Sequence, residues 1–218
     1  MKTILSTKKL SLFQKELLLN SGVRFVEYDA ISIVRLHFDA PKQIDNAIVS
    51  SMNGTKPVLE SETSVSNWFC VGPKTMSFLE ENDQNVVKMA SNSTELGDFI
   101  AKNYKKETFF YFCGEQRRDE LPDRLKDEKI EVFEIKTYKT EQKPRKFDQK
   151  WDGILFFSPS GVQSYFSENN TKDAISFCIG ETTAEEAKKY TRNVIVANST
   201  RIESVIAKAV KTLQYDPD

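Results

Sequence analysis

The sequence predicts an α/β protein with mainly parallel sheets, built from two copies of one unit. Two observations carry this. Short apolar, β-rich runs alternate with helical patterns along all 218 residues, the order that produces strand–helix–strand crossovers and parallel sheets. In addition, three landmarks recur in order at nearly one spacing. "SSMNG" at Ser50–Gly54 is matched 107 residues on by "FSPSG" at Phe157–Gly161. "FCVGPKT" at Phe69–Thr75 is matched 108 on by "FCIGETT" at Phe177–Thr183, and "NST" at Asn92–Thr94 is matched 106 on at Asn198–Thr200. A shared turn habit accounts for one such match, not for three in sequence.

Taken in order, the strand runs are "TILS", "RFVEY", "AISIVRLHF", "AIVSS", "WFCVG", "VVKMA", "TFFYFCG", "IEVFEIKTY", "GILFFS", "AISFCIG" and "NVIVAN". Several are apolar at successive positions, as parallel strands covered on both faces must be. Helical patterns fall between them at Leu10–Ser21, Lys74–Glu81, Thr94–Tyr104, Gln116–Asp127, Thr182–Tyr190 and Thr200–Leu213. The two "NST" strings put amide and hydroxyl side chains where helix N-caps sit.

The copies are not simple halves. "TILSTKKLSLFQKELLLNSG" resembles "TFFYFCGEQRRDELPDRLKDEK", so each copy contains one such strand–helix unit. The C-terminal part is too short to be a full copy alone. Residues 1–36 complete it, giving one discontinuous α/β domain of 1–36 plus 143–218 and one inserted domain of 37–142. The polar, Pro-containing stretch Thr140–Trp151 reads as a linker.

Composition removes several function classes. With 31 basic and 32 acidic residues the formal net charge is −1, so no overall basic field recruits nucleic acid. No run approaches the roughly 18 apolar residues of a membrane span, and "MKTILSTKKL" has too short an apolar run for a signal peptide. Cys70, Cys113 and Cys178 sit in apolar strand runs and read as reduced core residues of a cytoplasmic protein. Neither G-x-G-x-x-G nor G-x-x-x-x-G-K-[ST] occurs, so nucleotide cofactors lack their usual cradle. His37, the only histidine, rules out a multi-histidine metal site and reads as a surface or linker residue. No long apolar stripe demands a partner, and a monomer is expected.

The positive signal lies at strand ends. Ligands of open α/β sheets bind beyond the carboxyl ends of the strands, where helix N-termini offer backbone N–H groups. "SSMNG", "VGPKT", "FSPSG" and "IGETT" each follow a strand and precede a helix. Singly they are ordinary caps and turns. Facing one cleft, they form a carboxylate-binding surface that needs little net positive charge.

"ILFFSPSGVQSYF", "FCIGETTAEEA" and "VIVANSTRIESVIAKAV" resemble the C-terminal half of the uroporphyrinogen-III synthase family, and "FFYFCGEQRRDELPDRL" with "EIKTYKT" resembles its middle segment. The resemblance implies two similar flavodoxin-like three-layer domains with parallel sheets, joined by a two-stranded linker. It implies an enzyme that cyclises hydroxymethylbilane, a linear tetrapyrrole, to uroporphyrinogen III. Water is lost and ring D is inverted through a spiro intermediate, with no cofactor and no metal. Such a polyanion suits backbone N–H groups at helix N-termini.

The resemblance singles out Tyr138, in "KTYKT", as the catalytic candidate, because a phenol carries its proton at neutral pH and can donate to a departing hydroxyl. A strand-end tyrosine that merely holds the linker is the alternative. Substrate contacts are expected at Lys8, Ser51, Asn53, Gly72, Thr75, Ser158, Ser160, Gly161, Gly180 and Thr182, with capping as the alternative role of the two threonines. Arg117 and Arg118 open the helix after "FYFCG". "SSMNGTKPV" and "STKK" depart from the family's usual loops. A non-catalytic tetrapyrrole or anion binder on the same scaffold is the rival reading.

Overall fold

A computed structural model describes residues 1–116, 120–170 and 173–215. The strands are β1 (Thr3–Ser6), β2 (Arg24–Glu27), β3 (Ile31–Arg35), β4 (Gln43–Val49), β5 (Ser64–Val71), β6 (Val86–Ala90), β7 (Thr108–Gly114), β8 (Glu131–Gln142), β9 (Gly153–Phe156), β10 (Ile175–Cys178) and β11 (Val194–Val196). The helices are α1 (Leu12–Leu19), α2 (Met52–Leu59), α3 (Pro73–Glu80), α4 (Ser93–Asn103), α5 (Glu120–Asp127), α6 (Pro159–Phe166), α7 (Glu181–Ala187) and α8 (Ile202–Tyr215). The chain divides into two compact units, Met1–Ser32 with Glu141–Asp218, and Ile33–Thr140.

The first unit holds a sheet in the order β11-β10-β9-β1-β2, parallel throughout. Its apolar strands feed two cores. Phe156 and Cys178 pack with Val162 and Tyr165 of α6 and Ala184 of α7 on one face. Leu155 and Phe177 pack with Leu18 of α1 and Val205, Ile206 and Ala209 of α8 on the other. The second unit repeats this plan in the order β3-β8-β7-β4-β5-β6. Leu96 and Ile100 of α4 join Leu121 and Leu125 of α5 over one face, and Val58 of α2 and Leu79 of α3 cover the other. Burial on both faces is what makes these strands continuous apolar runs.

The repeat seen in the sequence is a repeat of register. Ile48 pairs with Phe69 and Val49 with Cys70 across β4 and β5; Leu155 pairs with Phe177 and Phe156 with Cys178 across β9 and β10. Ala47 pairs with Phe110 in one unit and Ile154 with Leu5 in the other. Thr108 pairs with Glu131 as Thr3 pairs with Arg24. The β7–α5–β8 segment that ends the second unit therefore corresponds to β1–α1–β2, which begins the first. The units are circularly permuted copies. The paths that connect them run antiparallel, with the Leu36 amide on the Thr137 carbonyl (2.9 Å) and the Lys143 amide on the Ala30 carbonyl (2.8 Å).

Three details differ from the sequence reading. The helices α2 and α6 are absent from the helical patterns because each is short and carries Gly and Pro. Asn92 does cap α4, accepting from the Glu95 amide at 2.9 Å, whereas α8 starts at Ile202, beyond the second "NST". Most of Thr140–Trp151 is no free linker. Trp151 is buried in the first unit, Phe147 packs on it at 5.7 Å between ring centroids, and the Phe147 amide donates to Asn169 Oδ1. Two aromatic rings dock a segment whose polarity had suggested otherwise.

On the second unit, Arg124 links α5 to Asp98 of α4 at 2.8 Å and to Glu128 at 2.9 Å, while Lys105 reaches Glu128 at 2.8 Å. Hydrogen bonds from Lys105, then Arg124, hold the Glu128 carboxyl at about 2, down from 4.5. A depressed carboxylate stabilises the fold fully above the unfolded-state value and loses its effect as pH falls through the folded one. Glu128→Gln should therefore lower the urea midpoint above about pH 4.5, with the gap to wild type closing towards pH 2. A gap that does not change with pH contradicts the ion-pair origin.

Candidate functional site

In the second unit the chain leaves β4 towards β5 on one side, while β7 lies on the other. That makes the tip of β4 the topological switch point, the usual ligand position in an open sheet. Ser51 stands there in extended conformation (φ −162°, ψ 156°) and caps α2, its Oγ accepting from the Gly54 amide at 3.4 Å. Asn53 follows on the exposed side of the first turn. That turn lies hard against β7, because a β-carbon at Gly54 would be 2.8 Å from the Phe112 carbonyl oxygen. At the tip of β5, Gly72 adopts φ +86°, a conformation that L side chains rarely adopt, and Pro73 starts α3. The buried Thr75 donates its amide to the Gly72 carbonyl at 3.2 Å.

Tyr138 belongs to this group through a break in the ladder. Cys113 pairs with Lys136 but Gly114 pairs with Tyr138, leaving Thr137 as the extra residue of a bulge. Bulges re-aim the side chains beside them. Here the Tyr138 ring lies over Gly114, where a β-carbon would be 2.7 Å from Cζ. Tyr138 Oη is 3.3 Å from Ser51 Oγ. Thr137 is fully buried, with Oγ1 at 3.5 Å from the carbonyl oxygens of both Gly54 and Cys113. The structure thus brings Tyr138 and Ser51 together. Gly114 and Thr137, which the sequence reading did not single out, complete the group; the glycine closing the run "YFCG" was its only visible sign.

The first unit repeats the cap closely. Ser158 has φ −163° and ψ 156°, and its Oγ accepts from the Gly161 amide at 3.1 Å at the start of α6. Ser160 occupies the helix position that Asn53 has in α2. Gly161 faces Ser158 Oγ and Thr7 Oγ1, at 3.3 and 3.7 Å from a β-carbon there. At the tip of β10, Gly180 is extended (φ −171°) and caps α7 without a side-chain bond. By position the counterpart of Thr75 is Thr183, buried and donating its amide to the Gly180 carbonyl at 3.1 Å. Thr182, one residue earlier, is only partly buried.

Lys8 lies on the exposed loop after β1. The amides that follow it are taken by the protein's own carboxylates, Lys9 on Asp29 Oδ1 and Leu10 on Glu27 Oε2, both at 2.9 Å. Burial works against the charge on Glu27, but Lys15 at 2.6 Å and the Leu10 amide hold it below the usual carboxylate range. This mouth offers an ammonium and few amides. Arg117 and Arg118 lie outside the described residues. His37 is exposed beside Asp39. The three thiols are free and buried; burial pushes Cys70 up to about 11 and Cys178 up to about 12, which makes both poor nucleophiles. Among the described residues, no three of His, Cys, Asp and Glu are grouped to hold a metal ion.

The sequence model of the family described as uroporphyrinogen-III synthase HemD matches residues 14–207. The chain belongs to that family. The matched range includes every site residue expected from the sequence except Lys8. A uroporphyrinogen-III synthase from Saccharomyces cerevisiae is 27% identical over 156 residues, spanning 59% of this chain and 55% of the yeast protein. The fold is similar to that of uroporphyrinogen-III synthetase from Helicobacter pylori, with TM-score 0.75 and 14% identity over 97% of this chain and 99% of the other. It is also similar to a mutant uroporphyrinogen III synthase from Thermus thermophilus, with TM-score 0.65 and 12% identity over 99% and 100% of the two chains. At these identities the structural likeness concerns the fold. Among the described residues, no helix is long and apolar enough to cross a membrane.

The two capped glycines differ in what surrounds them, and substitution should reveal it. Gly54→Ala forces a β-carbon against backbone and should destabilise the fold by about 1–3 kcal/mol, as overpacking does. Gly161→Ala meets only side-chain oxygens at ordinary or slightly tight distance and gains helix propensity of about 1 kcal/mol, so it should be neutral or stabilising. Denaturant midpoints of both variants check this; equal losses contradict it.

Proposed function

We propose that the protein is a uroporphyrinogen-III synthase, closing hydroxymethylbilane to uroporphyrinogen III with inversion of ring D and loss of water. The observation that carries this is the family match across residues 14–207. The strand-end groups support it. Ser51 and Ser158 cap α2 and α6 with the same geometry, and each helix start offers backbone donors and a partial positive charge. Acetate and propionate groups of a tetrapyrrole are met this way without a basic surface, which agrees with a net charge of −1.

In this reading Tyr138 Oη donates a proton to the hydroxyl leaving the ring A hydroxymethyl group, which departs as water. The pyrrole nitrogen of the substrate stabilises the azafulvenium that remains. The electrophilic methylene carbon left on ring A needs to be held near the substituted α-carbon of ring D, so that bond formation there outpaces closure at the unsubstituted one. Asn53, Gly72, Ser158, Ser160, Gly161, Gly180 and Thr182 serve as substrate contacts, with Lys8 as an exposed ammonium. Thr75 and its counterpart Thr183 are buried, so their support is to the loops that present the amides. We take the enzyme to act as a monomer in the cytoplasm, a compartment that suits three free thiols.

Incubation with hydroxymethylbilane tests this directly. The protein should yield the type III isomer, whereas spontaneous closure yields type I; type I alone removes the synthase reading and leaves an anion or tetrapyrrole binder. Tyr138→Phe should slow turnover by roughly tenfold to a hundredfold, at or below the low end of general-acid effects, with KM little changed. Unchanged turnover assigns the ring to packing.

A further inference from the structure

We propose that Gly114 and Ser51 are positioning residues for Tyr138, and that the bulge at Thr137 is the device that delivers the phenol to them. The role in turnover rests on the synthase reading above; the placement does not. Three independent features converge on one ring. The register shift between Cys113 and Gly114 inserts Thr137 into β8 and brings Tyr138 opposite Gly114 instead of one position further along. Thr137 is then locked, fully buried, with its hydroxyl between the carbonyls of Gly54 and Cys113. The absence of a side chain at Gly114 leaves the one space into which the ring fits, since a β-carbon would stand 2.7 to 3.0 Å from its Cζ, Cε2 and Oη. Ser51 Oγ, 3.3 Å from Oη, shares a hydrogen bond with the phenol and anchors its oxygen.

Gly114 itself is held. The next amide, Glu115, donates to the Tyr138 carbonyl at 2.8 Å, so backbone and ring of the same residue clasp the end of β7. In the first unit the β1–β2 pairing ends at Ser6 and Glu27, and residue 31 is Ile, so no phenol stands at the matching place. The duplicated scaffold carries this arrangement in one copy, which is what a reaction with a single proton donor requires. Ser51 also caps α2, so its hydroxyl couples the phenol to the helix end.

The test is a mutant cycle with a readout that does not depend on turnover. Gly114→Ala and Ser51→Ala should each lower kcat for type III formation about tenfold or more with KM within twofold, and Ser51→Thr should restore it. Combined with Tyr138→Phe, neither should slow the enzyme further, because both act through the ring that is already disabled. In parallel, 3-fluorotyrosine placed at position 138 reports the ring directly. Its fluorine resonance should move in Gly114→Ala and Ser51→Ala and return to the wild-type position in Ser51→Thr, in protein that retains wild-type circular dichroism. A resonance that stays put in both alanine variants overturns the proposal, whatever the activity. Additive losses on the Tyr138→Phe background overturn it as well. A resonance that moves as expected in a protein making no type III product leaves the placement standing and removes the synthase reading alone.

Discussion

The close approach of the α2 first turn and of the Tyr138 ring to the end of β7 is the constraint on which the candidate site depends. Both contacts exist only because side chains are missing, at Gly54 against the Phe112 carbonyl and at Gly114 beneath the phenol. With them the tip of the central strand gathers a capped helix start, a hydroxyl and a phenol within one hydrogen-bonded group. Without them α2 would ride outward and Tyr138 would be an ordinary residue of β8. The energetic investment is in backbone proximity, not in buried charge.

Duplication explains how such a site arises on a neutral protein. Each unit places a serine-capped helix at the tip of its central strand with nearly the same dihedral angles, supported by the same strand register. The copies differ at the ends of these strands. The second carries the bulge and the tyrosine; the first fills its β1 loop amides with Asp29 and Glu27.

Much of this was legible in the sequence, for physical reasons. The central strands β4, β7, β9 and β10 stand out because double-sided burial makes them apolar at consecutive positions, and the repeat stands out because register is tied to side-chain pattern. Helices α2 and α6 were harder to read: "MNGTKPVL" carries an internal proline and a glycine, and "PSGVQSYF" is short and weakly patterned. Tertiary packing against β7 and against the aromatic core, not propensity, makes them helical. The docking of Phe147 and Trp151 escaped notice since two rings among charged residues resemble a linker. The family resemblance named Tyr138 and Ser51 as candidates, but their meeting could not be read, since it rests on a one-residue register shift that no local pattern announces. Thr183 was passed over for Thr182 although the repeat itself aligns Thr183 with Thr75.

The most direct measurement of the central claim is a crystal structure with uroporphyrinogen III trapped in the protein. The account predicts a carboxylate of the product on the amides that start α2, and Tyr138 Oη, still paired with Ser51, within about 3 Å of a polar atom of the same molecule or of a water bridging to it. A product bound with its carboxylates away from α2, or with Tyr138 turned off Gly114 and out of contact, would contradict it.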